Sequence, residues 1–224
     1  MDAYGVTGYN CSQVTELRTV INDTAQKAGT GITERLHSEI IVPMSSAWYA
    51  PEAVAFFEQF ATTVQSAGEA ITASFDAFRQ AVEDAGKNWA ENTGGEAPTL
   101  APIDTVELTL NVSEIQPDNA GNVTIDDGAA KAVSGGLSEV EAGIKSDLES
   151  LAVSLNAETA FIGRGQAEAL QNCFVEISGA IHIIFSFLTE GDNNLASQID
   201  AAVQKYGDVA TGISSAFYNA TVAE

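Results

Sequence analysis

The sequence is poor in basic residues. Nine lysines and arginines stand against 31 aspartates and glutamates, which gives a formal net charge of −22. Such a charge opposes binding to a nucleic acid or to an anionic membrane surface, because both repel an acidic protein. Charged residues make up only 18% of the chain, so the acidity reflects missing bases rather than an acidic tail. We therefore expect no nucleic-acid partner.

Cysteines and long apolar runs are also scarce. Cys11 and Cys173 are too few and too far apart to form a disulfide framework. The most apolar run, Ala180–Leu188, is much shorter than the ~20 residues that cross a bilayer. The first residues carry no basic stretch followed by an apolar one, as a secretory signal would. With 45% apolar residues, the sequence predicts a soluble folded protein with no membrane span.

Groups that carry catalysis or hold metals are equally sparse. His37 and His182 are the only histidines, and neither has a cysteine, histidine or acid at metal-ligand spacing. No phosphate-binding glycine loop or nucleophile elbow is present. We predict that the protein is not an enzyme and needs no cofactor, metal or small-molecule substrate. We expect His37 on the polar side of its helix and His182 packed in the interior.

What the sequence does contain is apolar residues at steps of three and four, which mark one face of a helix. Such faces run over Val14–Ile40, Phe57–Trp89, Val133–Leu155, Ala167–Leu188 and Leu195–Phe217. The second face is nearly a coiled-coil seam. A break at residues 191–194 precedes the last face, and the sequence leaves open whether this segment continues the fourth helix or is separate.

Two similar corners separate these helices. The first combines Trp48 with small residues and Pro51, a residue suited to the first turn of a new helix. The second repeats the order, with Phe161, then Gly163, then an Ala-rich helix start. Each corner predicts a helical hairpin. Its aromatic is expected to pack at the end of the hairpin, or to be partly exposed and anchor a partner.

The middle of the chain differs from both halves. Prolines exclude a long helix there, residues 106–112 alternate like a half-buried strand, and residues 123–125 suit a return strand. The predicted fold is mainly α: two long helical hairpins forming an elongated four-helix bundle, with a small β-hairpin insert. The predicted domains are a first hairpin at 10–97, a β-hairpin connector at 98–128, and a second hairpin with a C-terminal extension at 129–224.

The corners resemble a known family. Trp48-Tyr49-Ala50, followed by an Ala-rich helix with Phe56, is similar to the Trp-x-Gly (WXG) turn of the small helical-hairpin proteins exported by type VII secretion. Phe161-Ile162-Gly163 resembles the same turn, with phenylalanine for tryptophan. The first corner has alanine for glycine. The resemblance covers residues 10–92 and about 129–218.

The resemblance implies a tandem version of the family's four-helix assembly within one chain. It also implies that Trp48, Ala50, Phe161 and Gly163 are turn or partner-binding residues. The family's export signal is a tail tyrosine followed four residues later by an acid, but here Ala210 follows Tyr206 and Val222 follows Tyr218. The expectation of export therefore rests on the resemblance alone. The protein would be made in the cytoplasm and secreted by a route that needs no signal peptide.

Two functions remain open at this stage. The first is a non-enzymatic helical interaction protein, a type VII secretion-associated substrate or partner that binds another helical protein or itself. The alternative is a structural subunit of a self-assembling filament, sheath or virus-like particle, using the apolar 181–188 run and an exposed β-hairpin edge. Replacing Leu108 and Leu110 in the exposed hairpin with charged residues should abolish assembly under the alternative and leave a soluble bundle under the first hypothesis.

Overall fold

The protein is mainly helical in the computed structural model, which confirms the predicted class. The structure describes residues 10–162 and 164–222, without the side chains of 161, 164 and 212–222. The helices are α1 Cys11–Leu36, α2 Val42–Ala47, α3 Pro51–Thr93, α4 Asp127–Thr159, α5 Arg164–Phe185 and α6 Leu195–Val222. The four-helix bundle arrangement remains a prediction.

The apolar face predicted for the first helix is buried at every position. Asn10 caps α1, because its side-chain oxygen accepts hydrogen bonds from the backbone N–H groups of Ser12 and Gln13, at 3.0 and 3.4 Å. The buried positions are Val14, Leu17, Ile21, Ala25, Ala28, Ile32, Leu36 and Ile40. The three-four spacing therefore identifies the buried side of α1 correctly.

Pro43 widens the helix instead of stopping it. A π-helical turn, His37–Ile41, links α1 to α2, and the backbone N–H of Val42 donates to the carbonyl of His37. Proline cannot supply an N–H and crowds the carbonyl four residues earlier, and one wider turn accommodates both effects. Trp48 then leaves the helical conformation, with φ −136° and ψ 105°.

The predicted β-hairpin is wrong in its pairing. Strand β1, Trp48–Tyr49, pairs antiparallel with β2, Thr124–Ile125, so that Trp48 faces Ile125. Residues 106–112 form no strand in the described chain. Their backbone is instead satisfied in part by a helix, because the N–H of Val106 donates to the Thr72 hydroxyl at 2.8 Å. A side chain on α3 takes a bond that the sequence pattern assigned to a partner strand.

Residues 118–122 form a tight turn. Asn119 and Asn122 make an isolated antiparallel bridge around Ala120 and Gly121, whose φ angles are 53° and 84°. Positive φ at both central positions is the geometry of a tight hairpin turn. Only two residues pair across it, so the turn does not extend into a hairpin.

The question left open at residues 191–194 is answered by a break. α5 passes into a π-helical turn, Ser186–Glu190, which ends before Gly191. The side-chain oxygen of Asn194 then accepts a hydrogen bond from the N–H of Ser197 at 2.8 Å, which is an N-cap. α6 is therefore a separate helix.

The chain folds into two compact units. The first contains residues up to Gly31, 66–108 and 145–181; the second contains residues 32–65, 109–144 and those from His182 on. The predicted boundaries of two hairpins at 10–97 and 129–224, with a connector at 98–128, remain a prediction.

Within the first unit, the covering segment, residues 98–108, lies over α1 and α3. Leu100, Ile103, Val106 and Leu108 are buried. A Cβ added to Gly68 would lie 2.5 Å from the backbone oxygen of Val106, closer than real contacts allow. Glycine on α3 therefore lets the segment's backbone touch the helix.

A buried arginine holds the covering segment. Arg79 is 5% exposed; it donates to the carboxylates of Asp76 and Glu83 at 2.8 Å and to the carbonyl of Leu100 at 2.9 Å. Glu83 accepts from the N–H of Leu100, and Asp76 from the N–H of Ile103. The hydrogen bond from Arg79 lowers the pKa of Asp76, and the bond from Lys87 is the main cause that lowers the pKa of Glu83.

Candidate interaction site

The first corner is closed by packing. Trp48 is 1% exposed and Ala50 is fully buried. The carbonyl of Ala50 accepts hydrogen bonds from the N–H groups of Ala53 and Val54, at 3.1 and 3.2 Å, and so begins α3 just before Pro51. The indole N–H of Trp48 is buried and has no hydrogen-bond partner. This geometry matches the packing role predicted for the corner aromatic, while its role in partner binding remains a prediction.

Alanine suits the position where the resembled family has glycine. Among the described non-glycine residues, Ala120 alone has a positive φ. The backbone at Ala50 is therefore open to any L-residue. The departure from the Trp-x-Gly pattern at Ala50 costs no backbone strain.

The second corner is held by a different tryptophan. A 3₁₀ turn, Ala160–Ile162, ends α4, and the indole N–H of Trp89 donates to the carbonyl of Ile162 at 3.2 Å. The side-chain amide of Gln166 also donates to the hydroxyl of Thr159. The predicted residue Gly163 lies outside the described residues, as does the side chain of Phe161. Trp48 and Ala50 adjoin each other in the second unit, whereas Phe161 belongs to the first.

An acidic residue beside the first corner forms a cluster that the sequence did not indicate. Glu52, in the first turn of α3, accepts hydrogen bonds from Lys205 at 2.9 Å and from the hydroxyl of Tyr206 at 2.8 Å. The bond from Lys205 is the main cause that lowers the pKa of Glu52. Burial, then the nearby carboxylate, raises the pKa of Tyr206 to about 12. These partners lie more than 150 residues apart in sequence, so no local pattern could pair them.

An open apolar groove lies between α4 and α5 in the first unit. This α4/α5 groove has a volume of about 560 Å³. Its lining includes Ala152, Val153, Ala167, Leu170, Phe174 and Val175. Leu170 is buried, whereas Val153 is 71% exposed and Val175 is 61% exposed. Two branched apolar side chains on neighbouring helices therefore face water on either side of an apolar floor.

The floor of the groove is rigidly supported. Phe174 packs edge to face against Phe75 of α3, with ring centroids 5.7 Å apart, a favoured aromatic geometry. Cys173 beside it is buried, and burial raises the pKa of its thiol to about 12. That thiol stays protonated at neutral pH and is unsuited to nucleophilic chemistry.

The two histidines take different positions from each other. His37 is 33% exposed and lies 3.5 Å from a carboxylate oxygen of Glu114, as expected for the polar side of a helix. The prediction that His182 is packed is wrong, because its side chain is 65% exposed and lies 3.2 Å from Glu190. Within residues 10–162 and 164–222, no group of three or more histidine, cysteine or acidic residues is placed to hold a metal.

One stretch has the composition of a membrane helix. Residues Gly165–Thr211 contain an 18-residue window with a mean hydropathy of 1.4, of which 33% is buried. By length and composition alone this stretch could cross a membrane, a property shared by the core helices of soluble proteins. The expectation of no membrane span stays a prediction.

Comparison with known proteins leaves the family open. No protein family, no curated protein and no solved structure matches this chain.

Proposed function

We propose that the protein is a non-enzymatic helical interaction protein that binds another helical protein. The observation that carries this proposal is the α4/α5 groove, in which Val153 and Val175 are more than half exposed over an apolar floor. Exposed apolar surface that is gathered in a groove, rather than scattered singly, can mark a binding site. Grooves between helices are common seats for amphipathic helices.

The secretion context is the finer part of the proposal. The tandem Trp-x-Gly-like corners at Trp48-Ala50 and Phe161-Gly163 resemble those of type VII secretion substrates and their partners. The buried Trp48 and the helix that begins at Pro51 are compatible with such a turn. We propose that the chain is a substrate or partner of that system, made in the cytoplasm and exported without a signal peptide.

The test of the interaction proposal is the solution mass, measured by light scattering over a concentration series. We expect a mass near 23.4 kDa at every concentration. A mass that grows steadily would favour the alternative, a self-assembling structural subunit with a non-closing interface. Two supports for that alternative weaken, because Leu108 and Leu110 are buried and 106–112 offers no strand edge. Charged substitutions there would unfold the protein under either hypothesis.

Export requires a separate experiment. The tagged chain is produced in cells that carry a type VII secretion system and in matched cells that lack its ATPase. We expect the extracellular chain to disappear in the second strain, while the cytoplasmic level stays the same. An unchanged extracellular level would remove the secretion part of the proposal and leave helical interaction standing.

A further inference from the structure

The α4/α5 groove has the dimensions of a helix seat. Its lining on α5 runs from Ala167 to Ser178 at steps of three, one, three, one and three, which is one continuous face. At 1.5 Å per residue this face is roughly 16 Å long, about three helical turns. The opposite wall on α4 is Ala152, Val153 and Asn156. Small residues such as Ala152 and Ala167 let a third helix approach both walls closely.

Acidic residues border the groove. Glu149 precedes Val153 by one turn on α4, so the two side chains share a side of the helix. Glu168 precedes Gln171 by three residues on α5, and Glu176 adjoins Val175; all three glutamates are exposed. Residues 145–181 hold five acids and two bases, Lys145 and Arg164. Of these two bases, Lys145 has a described side chain, and it does not line the groove.

We infer that the α4/α5 groove binds an amphipathic helix whose apolar stripe is flanked by lysine or arginine. The inference rests on the proposed function and adds the chemistry of the partner. Apolar residues of that helix would cover Val153 and Val175, and its basic residues would meet Glu149 and Glu168. A second copy of this chain is a poor occupant, because the same groove would oppose acid to acid between molecules of net charge −22.

The probes are two designed helical peptides of about 18 residues, long enough to fill three turns and keep their ends free. Both carry leucine at i, i+3, i+4 and i+7. One carries lysine on the flanks of this stripe and the other carries glutamate. Fluorescence anisotropy with the whole chain should show the lysine peptide binding at least about tenfold more tightly, and more weakly as salt rises.

Charge reversal places the contact in the groove. The pair Glu149→Lys and Glu168→Lys should weaken the lysine peptide about tenfold and strengthen the glutamate peptide. The control pair, Glu58→Lys and Glu69→Lys, makes the same change in net charge at exposed sites on α3. We expect it to alter binding by less than about twofold. Equal losses in both pairs would mean attraction to net charge, and would overturn the inference.

The apolar part of the contact has its own matched pair. Val175→Ser removes exposed apolar surface from the groove, and Val209→Ser removes it from α6, where the valine is 55% exposed. We expect about fivefold weaker peptide binding for the first and no change for the second. If both peptides bind equally and Val175→Ser weakens both, the groove binds helices but the basic partner is wrong.

Two further outcomes would overturn the inference without touching the mass and export tests of the proposed function. The first is the failure of both peptides to bind. The second is co-sedimentation of the chain with zwitterionic phosphatidylcholine vesicles that is lost in Val175→Ser, which would assign this face to a membrane. We expect the chain to stay in the supernatant.

Discussion

Two faces of the first compact unit are treated in opposite ways. On α1 and α3, the covering segment packs Val106 and Leu108 against the helices and buries both. On α4 and α5, Val153 and Val175 stay exposed over a similar apolar floor. The chain thus covers α1 and α3 with its own segment. None of its described residues covers Val153 and Val175 on α4 and α5 in the same way. An uncovered helix pair beside a covered one is what a partner site requires.

The covered face depends on two devices that the open face lacks in the described chain. Glycine at Gly68 brings a backbone against the helix, and Arg79 satisfies carbonyls and carboxylates at the contact. On the open face, Val153 and Val175 stay exposed among the residues that the structure describes. Substitutions should therefore reduce stability on the covered face and leave it nearly unchanged on the open face.

The largest effect is expected for Arg79→Ala. It removes one of the two charged donors of the buried Glu83 carboxylate, which keeps Lys87, and it removes the charged donor to the carbonyl of Leu100. Breaking a buried pair costs up to about 3–5 kcal/mol in the free energy of unfolding, and the loss here should lie toward the lower end of that range. Urea unfolding followed by circular dichroism measures it. The control is Lys131→Ala, which removes an exposed ion pair with Asp127 and should leave the stability nearly unchanged. Similar losses of stability in both variants would contradict the role of Arg79 in holding the covering segment.

Two glycines on the two faces should respond with opposite signs. Gly68→Ala forces a Cβ toward the Val106 backbone, and such overpacking costs about 1–3 kcal/mol. Gly179 is helical on α5, and a Cβ there meets nothing within 4 Å. Gly179→Ala should stabilise by about 0.4–1 kcal/mol. Thermal unfolding of both variants measures the difference, and a destabilised Gly179→Ala would show that the open face is covered after all.

A smaller, pH-dependent effect is expected at Asp76, whose side chain is 35% exposed. Its pKa is lowered from the ordinary 3.8 when folded. Its contribution to stability is therefore complete above pH 3.8 and is lost as the pH falls through the lower folded value. Asp76→Asn should be less stable than the wild type at pH 7, and this difference should shrink at pH 2. The stability of each protein is measured against pH, and the variant's curve is subtracted from that of the wild type, which removes the effect of acidic repulsion common to both. A difference that stays constant with pH would mean that the ion pair of Asp76 does not contribute to stability.

The smallest effect is expected for Val175→Ser on the open face. With 61% of the valine already exposed, its loss should alter the free energy of unfolding by about 0.5 kcal/mol or less. Equilibrium urea unfolding checks this value, and it also shows that any loss of peptide binding is not caused by unfolding. A loss above about 2 kcal/mol would mean that the residue packs in the core.

The sequence predicts helix faces well and long-range partners poorly. Every residue of the predicted α1 face is buried. This prediction succeeds because helical periodicity depends only on nearby residues. Ala167 and Val209 were placed on the same kind of face, yet both are exposed, since periodicity does not say which turns a neighbour covers. Two glycines of α1 also differ in a way that sequence does not reveal: a Cβ at Gly29 would meet Val106, whereas a Cβ at Gly31 would meet nothing within 4 Å.

The covering segment and the α4/α5 groove show why sequence alone did not predict these two features. Alternation over residues 106–112 is real, but its partner is the surface of two helices rather than a strand. The ion pairs of Arg79 did leave a sequence signal. Asp76, Arg79 and Glu83 are spaced to share one helix face, in a chain with few basic residues. Val153 and Val175 lie off the predicted helix faces, so helical periodicity alone does not single them out.

The two tryptophans make the unfolding of each compact unit measurable by fluorescence. The second unit holds Trp48, with its indole buried and unbonded, and the first holds Trp89, half-buried with its indole bonded to Ile162. Trp48 should emit at shorter wavelength than Trp89, because its ring is dry and lacks an acceptor. The variants Trp48→Phe and Trp89→Phe each leave one reporter, in one unit. Coincident fluorescence transitions would mean that the protein melts as a single cooperative block, and separate ones that each unit melts alone.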